Sequence, residues 1–302
     1  MKSGFVSVVG RPNVGKSTLV NRIVGRKVSI TSSRPQTTRS AIRGVRTHFG
    51  PGGEPEWQIV LVDTPGLHRP RTELGSRLNQ LVYGSLAEAD AVVFVVDATA
   101  PIGPGDRLIA ERLKKAETPV IVAVNKVDAA SRAEVVSQLA EAGEWDFRAY
   151  VPISALEGAG IGELIGEVVP ILPDGPLYYP PDQWSDQPES VVVAEIIREK
   201  FLERLREELP HSLLVRVEEI EERDDGLVTI QADVIVERKS QKGIVIGKGG
   251  SLLKVAGSEA RAELEALLGT KVNLQLQVTV EKDWQRRPVL LDRLGFQEAK
   301  GV

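Results

Sequence analysis

The chain has 302 residues with 42% hydrophobic and 26% charged side chains and a net charge of −4, a balance typical of a soluble globular protein. The length favours two domains. The absence of cysteine excludes disulfides and thiolate metal sites and suits the cytosol. No apolar run approaches the roughly 18 residues of a membrane-spanning helix. Three scattered histidines argue against a histidine metal centre, and the negative charge means that any nucleic-acid site must be a local basic patch.

From residue 1 to about 175, apolar runs alternate with amphipathic segments. The runs predict strands over 5–10, 57–63, 91–97, 120–125 and 150–153, and the segments predict helices over 16–24, 72–88, 105–115, 132–142 and 162–169. Such alternation predicts an α/β domain with a mostly parallel sheet and helices on both faces. Ligands of these sheets bind at the carboxyl ends of the strands.

The first strand end carries the sequence GRPNVGKS, which fits the phosphate-loop pattern G-x-x-x-x-G-K-[ST] at every fixed position. Its glycines let successive N–H groups face a phosphate, and the following helix adds its positive N-terminus. Lys16 is predicted to reach the terminal phosphates, and Ser17 to place its hydroxyl on Mg²⁺. The predicted nucleotide contacts of this segment are Gly10, Asn13, Val14, Gly15, Lys16, Ser17 and Thr18.

Three later strand ends carry further motifs. In the sequence DTPG, Asp63 can hold Mg²⁺ through water and the N–H of Gly66 can sense a γ-phosphate. In the sequence NKVD, the carboxylate of Asp128 can accept from both N1–H and the 2-amino group of guanine, which adenine lacks, so GTP is the predicted nucleotide. The remaining predicted contacts are Asn125, Lys126 and the group Ser154, Ala155 and Leu156, of which a backbone N–H could meet the guanine oxygen.

These motifs in this order resemble a small GTPase of the translation-factor type over about residues 4–172. The resemblance implies a Ras-like fold, GTP hydrolysis, and two loops that order around the γ-phosphate and Mg²⁺. The first loop is expected to contain the sequence QTTR at 36–39, in which Thr38 or Thr37 completes the Mg²⁺ shell, with Thr38 favoured. The expected catalytic residues are Lys16, Thr38 and Gly66.

Position 67 departs from the Ras pattern. A glutamine that orients the attacking water follows D-x-x-G in Ras-type enzymes, whereas Leu67 can orient nothing. His68 comes next, either as a base or as an exposed loop histidine. In some relatives an asparagine placed as Asn13 is helps to bind K⁺ near the phosphates, so K⁺ assistance and slow intrinsic hydrolysis are expected.

A segment rich in proline and glycine predicts a linker over 177–190, between a GTPase domain at 1–176 and a second domain at 191–302. The second domain has a predicted helix at 191–208, strands at 212–222 and 227–237, helices at 242–246 and 251–268, and a strand at 271–280. This order predicts an α+β unit and not a continuation of the parallel sheet.

The sequence GKGG between the last two helices resembles the G-x-x-G loop of a type II KH domain, which clamps the backbone of about four single-stranded nucleotides. Residues 177–302 carry 18 basic and 23 acidic side chains, yet five bases and no acid lie between 238 and 254. Trp284 could lie beside the RNA or pack against the sheet. The predicted RNA contacts are Arg238, Lys239, Lys242, Gly247, Lys248, Gly249, Gly250 and Lys254.

Together the motifs GRPNVGKS, QTTR, DTPGL, NKVD and GIVIGKGG resemble the Era family over nearly the whole chain. The resemblance implies a monomeric bacterial GTPase that binds 16S ribosomal RNA near its 3′ end and assists maturation of the 30S subunit. It also implies peripheral contact with the inner membrane, although no lipidation motif or long basic amphipathic helix is present.

GTP and Mg²⁺ would order the loops at 36–39 and 63–68 and bias docking of the second domain. A second interpretation makes that domain a protein-docking module, which its net negative charge favours.

Overall fold

The structure is a computed structural model, and it describes residues 1–32, 37–67, 70, 72–206, 209–294 and 296. Gln36 and His68, which the sequence assigned to the two nucleotide-sensing loops, lie outside the described residues.

A six-stranded sheet forms the centre of the first half of the chain, in the order β2-β3-β1-β4-β5-β6. All neighbouring strands run parallel except β2, which pairs antiparallel with β3. The predicted mostly parallel sheet is therefore confirmed. Its strands are β1 (Lys2–Val9), β2 (Ile42–Phe49), β3 (Pro55–Asp63), β4 (Ala91–Asp97), β5 (Val120–Asn125) and β6 (Ala149–Ile153).

Five helices cover both faces of this sheet. Leu19 and Leu164 belong to the core on one face, whereas Val82 and Ile109 belong to the core on the other. Side-chain caps start two of them, since Thr72 Oγ1 accepts from Gly75 N at 3.1 Å and Ser131 caps its helix together with Glu134. The helices are α1 (Lys16–Val24), α2 (Glu73–Ala87), α3 (Pro104–Leu113), α4 (Arg132–Gly143) and α5 (Ile161–Val168).

Strand β2 was not predicted, because charged and small residues interrupt its apolar period. The exposed Arg43 and Arg46 interrupt its buried positions, and Gly44 replaces an apolar side chain on the inner face. A Cβ on Gly44 would lie 2.8 Å from Val24 Cγ2, so the glycine lets α1 pack close to the sheet.

The second half is an α+β unit with a three-stranded sheet in the order β7-β8-β9, in which β7 is antiparallel and β9 parallel to β8. This confirms the predicted KH arrangement, but the helix predicted over 191–208 ends at Leu202, and two short helices were not predicted. Pro210 sits in the first of these, where it cannot continue a preceding helix. The elements are α6 (Glu189–Leu202), α7 (Leu209–Ser212), β7 (Leu214–Glu222), β8 (Val228–Val236), α8 (Lys239–Ile246), α9 (Ser251–Leu268), β9 (Val272–Val280) and α10 (Pro288–Arg293).

The segment between the two units lies against the outer strands of the first sheet. The buried side chain of Gln58 accepts from the backbone N–H groups of Tyr178 and Tyr179 at 2.8 and 3.1 Å and donates to the Tyr179 carbonyl at 2.9 Å. Val45 N donates to Trp184 O at 2.9 Å. The segment is thus bonded to β2 and β3 before α6 begins.

Candidate functional site

The loop between β1 and α1 has the backbone of a phosphate cradle. Asn13 and Gly15 adopt positive φ angles of 65° and 98°, and Gly15 forms the start of α1. A Cβ on Gly15 would lie 2.3 Å from Asn125 Nδ2, so this position needs glycine for space as well as for conformation. Val14 has a buried side chain in the core and directs only its backbone towards the site.

Lys16 is buried at the mouth of this loop, and its Nζ donates to the carbonyls of Gly10 at 3.2 Å and Arg11 at 2.9 Å. Burial lowers the pKa of Lys16 to about 8, although the charge of Asp63 opposes the shift. An anionic phosphate at this position would replace the two carbonyls and raise the pKa of Lys16 again.

Three oxygen-bearing side chains meet beside the loop. Ser17 Oγ lies 2.7 Å from Asp63 Oδ2 and 3.0 Å from Thr38 Oγ1, and Thr38 Oγ1 lies 3.4 Å from the same carboxylate oxygen. Burial raises the pKa of Asp63, whereas Lys16 and the two hydroxyls lower it. Among the described residues, Asp63 Oδ1 is buried without a hydrogen-bond partner. This oxygen-rich donor set fits a hard divalent cation such as Mg²⁺.

The structure places Thr38, and not Thr37, in this oxygen cluster. The carbonyl of Thr37 instead accepts from Arg198 Nη1 of α6 at 2.7 Å.

Gly66 and Leu67 follow the strand end of β3 and have opposite orientations. Gly66 lines the cavity, and a Cβ there would lie 2.7 Å from Pro12 N. Leu67 is 8% exposed and packs in the core with Val9 and Val82. A buried apolar side chain cannot orient water, in agreement with the departure from the Ras pattern.

At the other end of the cavity, Asn125 ties three strand ends together. Its Nδ2 donates to Val14 O at 2.8 Å, and its Oδ1 accepts from Ala155 N at 2.9 Å. Lys126 Nζ donates to Asn13 O at 2.8 Å and to Asp97 Oδ2 at 2.5 Å. Asn125 therefore joins the phosphate loop to the loop after β6. The carboxylate that could select guanine belongs to the exposed Asp128.

These elements enclose a cavity of about 600 Å³, which is large enough for a nucleotide. The predicted residues Ser154 and Ala155 lie behind its lining, because both of their N–H groups are bonded within the protein. The lining residues are Pro12, Asn13, Gly15, Lys16, Ser17, Thr18, Thr31, Ser32, Thr37, Thr38, Gly66, Lys126 and Leu156.

Sequence reasoning missed the side chains that brace these loops. Arg22 of α1 donates to the carbonyls of Ala155, at 3.0 Å, and Leu156. Arg11 Nε pairs with the buried Asp106 of α3 at 2.7 Å. Asp97 could have been found by its position at the end of β4, but the two arginines have no local signal.

In the second unit, the sequence GKGG forms the turn between α8 and α9. Gly247, Gly249 and Gly250 have φ angles of 77°, 61° and 79°, a left-handed backbone that glycine adopts without strain. The side chain of Lys248 is exposed, and no atom of the described residues would contact a Cβ on Gly249 or Gly250. The turn is therefore open for close approach of another chain's backbone.

The five basic residues predicted to contact RNA lie in this turn and along the two helices that it joins. Four of them, Arg238, Lys239, Lys248 and Lys254, are exposed, and Lys242 is half-buried. None of the five has an ion-pair partner within the part of the chain that the structure describes. Ile244 and Val255 add exposed apolar surface beside them, at 54% and 47% exposure. Charge and apolar surface on one turn suit contact with both the backbone and the bases of a single strand.

Trp284 does not lie on this surface. It is fully buried between the two units, where it packs with Leu74 and Leu78 of α2, and its Nε1 donates to Ser212 O at 3.0 Å. The side chain is unavailable for stacking on RNA bases, and it packs at the junction of the two units as well as on its own sheet.

No helix in the described ranges is both long enough and apolar enough to cross a membrane.

The fold and the site define a P-loop GTPase joined to a KH domain. Residues 5–126 match the family described as 50S ribosome-binding GTPase, and residues 208–285 match the KH domain family. The chain is 51% identical over 301 residues to the GTPase Era of Mycobacterium tuberculosis strain H37Rv, covering 97% of this chain and 98% of the relative. Its identity to the GTPase Era of Mycobacterium avium strain 104 is 50%, over 98% and 99% of the two chains. The chain therefore belongs to the Era family of GTPases.

Two solved Era structures have the same architecture. Aquifex aeolicus Era with a tyrosine-to-alanine substitution, bound to GDP·AlF4⁻, superposes with a TM-score of 0.93 at 40% identity, over 98% of this chain and 100% of that one. Era in complex with MgGDPNP and nucleotides 1506–1542 of 16S ribosomal RNA gives the same TM-score and identity, over 98% and 99% of the two chains.

Proposed function

We propose that this GTPase is a nucleotide-driven switch that binds single-stranded 16S ribosomal RNA near its 3′ end through the KH domain and assists maturation of the 30S subunit. The proposal rests on the open GKGG turn, whose neighbouring basic side chains have no ion-pair partner among the described residues. Support comes from the 40% identical Era that is bound to nucleotides 1506–1542 of 16S ribosomal RNA. GTP would order the loops around Thr38 and Gly66, and these loops would bias how the KH domain docks.

In this proposal the cavity holds GTP. Lys16 and the backbone N–H groups of 13–18 bind the phosphates, Gly66 N–H contacts the γ-phosphate, and Asp128 accepts from guanine. Ser17 and Thr38 would hold Mg²⁺ directly and Asp63 through water, as their convergent oxygens indicate. When bound, the metal would neutralise charge that develops on the β- and γ-phosphate oxygens.

Hydrolysis would be slow without further help, because the side chain of Leu67 faces the core. We infer that K⁺ near Asn13 supplies additional positive charge beside the phosphates, as an arginine finger does elsewhere. Single-turnover hydrolysis should be faster in K⁺ than in Na⁺ buffer of equal ionic strength. Equal rates would remove K⁺ from the mechanism.

Residues 1–176 and 191–302 would act as two functional units of a monomer, joined by the linker at 177–190. We place the protein in the cytoplasm, and contact with the inner membrane has only the family resemblance in its favour. Flotation of the protein with vesicles of bacterial inner-membrane lipids tests this contact, and absence from the floating fraction in both GTP and GDP would exclude it.

Crosslinking to total cellular RNA, with a GTP analogue and then with GDP, tests the RNA target. The double substitution Lys248→Glu with Gly249→Asp should abolish RNA capture. Lys271→Glu is the matched control, because it reverses an exposed charge beyond the opposite end of α9. A peak at the 16S 3′ end in the GTP state alone is expected. Equal capture in both states would exclude the switch, and no RNA in either state would favour a protein-docking KH domain.

A further inference from the structure

The residues on either side of Thr38 both contact the KH domain. Thr38 itself points into the oxygen cluster with Ser17 and Asp63. The carbonyl of Thr37 and the side chain of Arg39 instead contact α6, α7 and β7. A single three-residue strip, 37–39, therefore belongs to both the nucleotide site and the domain junction.

Arg198 holds the backbone of Thr37, the residue before Thr38. Its guanidinium is fully buried, donates to the carbonyl of Thr37 at 2.7 Å, and pairs with Glu195 one turn earlier on α6 at 2.8 and 2.9 Å. The ion pair orients the guanidinium, so the Thr37 carbonyl is held at a defined place on α6.

Arg39, the residue after Thr38, is held by its own side chain. Its Nη1 donates to Leu213 O at 2.8 Å, and its Nη2 donates to Pro210 O and His211 O at 3.0 and 2.7 Å. Its guanidinium also lies 5.7 Å from the centre of the Trp284 ring. Burial, with the nearby charge of Arg198, lowers the pKa of Arg39 well below its ordinary value. The three carbonyls, together with the negative charges of Glu195 and Glu237, offset part of the cost of burying this guanidinium.

The start of the same loop has a third attachment. Thr31 N donates to Glu199 Oε1 at 2.9 Å, and Glu199 is buried on α6 next to Arg198. Lys27 pairs with the other oxygen of Glu199, so the segment before the loop is attached to α6 as well.

We propose that the docked KH domain positions Thr38 for GTP, through Arg198 and Arg39 acting as positioning residues on either side of it. Neither residue touches the nucleotide cavity with its charged group, and each acts only by holding the backbone that presents the Thr38 hydroxyl. The proposal rests on the role proposed above for Thr38 as a ligand of the Mg²⁺ that accompanies GTP. Docking should therefore favour GTP over GDP, because GDP lacks the γ-phosphate around which this loop orders.

Linkage makes the effect reciprocal, since GTP should strengthen docking by the same factor by which docking strengthens GTP binding. A substitution that weakens the domain junction should therefore change the preference for GTP over GDP, and should not lower the affinity for both nucleotides equally.

The test uses the full chain with Arg39→Lys and, separately, Arg198→Lys. Lysine keeps the charge but cannot reach several carbonyls with one planar group. Arg204→Lys is the matched control, because Arg204 lies just beyond the end of α6 and pairs with Glu259 inside the KH domain. Affinities for a non-hydrolysable GTP analogue and for GDP are measured by fluorescence titration over a range of Mg²⁺ concentrations.

We expect each junction variant to lose roughly 10- to 100-fold in affinity for the GTP analogue and to need more Mg²⁺, with GDP affinity unchanged. The control should match the wild type for both nucleotides. Unchanged affinity for the analogue, or equal losses for both nucleotides, would overturn the proposal. Failure of the wild-type chain to bind the analogue would instead overturn the proposed function of the site.

Discussion

The protonation of Lys16 depends on its burial. Its pKa of about 8 in the free protein means that the ammonium loses its proton in mildly alkaline solution. A bound phosphate raises this pKa, so binding takes up a proton above pH 8 and becomes weaker as pH rises. GTP affinity should be constant from about pH 6.5 to 7.5 and fall by up to about tenfold per pH unit above 8.

Fluorescence titration between about pH 6.5 and 9 measures this dependence. Lys16→Arg is the comparison, because arginine stays protonated throughout and its affinity should have no such decline. A flat profile for the wild type would show that Lys16 keeps its charge in the free protein.

Asp128 should determine the base. In Asp128→Asn one acceptor oxygen becomes a donor, so the guanine 2-amino group loses its partner and GTP affinity should fall about 10- to 100-fold. Xanthosine triphosphate has an oxygen in place of that amino group and should bind the variant better than the wild type. A variant that prefers GTP in competition binding would place base selection elsewhere.

Leu67 should resist conversion to the Ras residue. Leu67→Gln buries an amide in the core beside Val9 and Val82, which should cost about 1–3 kcal/mol of unfolding free energy without accelerating hydrolysis. Urea denaturation and single-turnover GTP hydrolysis measure the two effects, with Leu67→Met as a control of similar volume. Faster hydrolysis in Leu67→Gln would mean that the side chain can reach the cavity.

Local motifs predicted most of the residues that line the cavity, because a phosphate loop or a guanine-binding tetrapeptide is contiguous in sequence. The partners of Asn125 could not be predicted, since its amide joins Val14 and Ala155 from two other loops. The choice of Thr38 over Thr37 likewise needed the position of α6.

At the scale of elements, the buried side chain of Gln58 bonds the start of the inter-domain segment to β3. Gln58→Leu should remove the partners of the Tyr178 and Tyr179 N–H groups and lower the unfolding free energy by about 1–3 kcal/mol. Hydrogen exchange at these two amides should accelerate relative to the wild type. Gln275→Leu, on the exposed side of β9, should leave both measurements unchanged, and full protection in Gln58→Leu would mean that other contacts hold the segment.

Apolar continuity decided which strands could be predicted. Strand β5 is buried along its whole length, and its sequence is an apolar run up to the final Asn125. Strand β2 lies at the edge of its sheet and carries arginines, so its composition does not predict a strand. Its pairing with β3 stabilises it.

At the scale of the molecule, Trp284 joins two domains that each have their own core. Trp284→Ala should cost about 3–5 kcal/mol at the junction and separate thermal unfolding into two transitions. Leu267→Ala, at a partly exposed position on α9, is the control and should retain the wild-type profile. A single calorimetric transition at the wild-type midpoint would show that the cluster does not couple the domains.

Each domain class could be predicted from its own motifs, but the junction could not. Arg39 meets carbonyls more than 170 residues further along the chain, and no periodicity or spacing marks such a pair. Long-range contacts between independently folded units leave no local pattern.

The attachment of the inter-domain segment to β2 also limits how far the domains can separate. Asp186 pairs with Arg43 of β2, and only Gln187 and Pro188 intervene before α6 begins at Glu189. The three Cα–Cα steps from Asp186 to Glu189 span about 10 Å when extended. Undocking would therefore be a rotation about a nearly fixed point, and the KH domain would stay at a millimolar or higher effective concentration beside its docking surface. A separate KH domain added at micromolar concentration could not replace the covalently joined one.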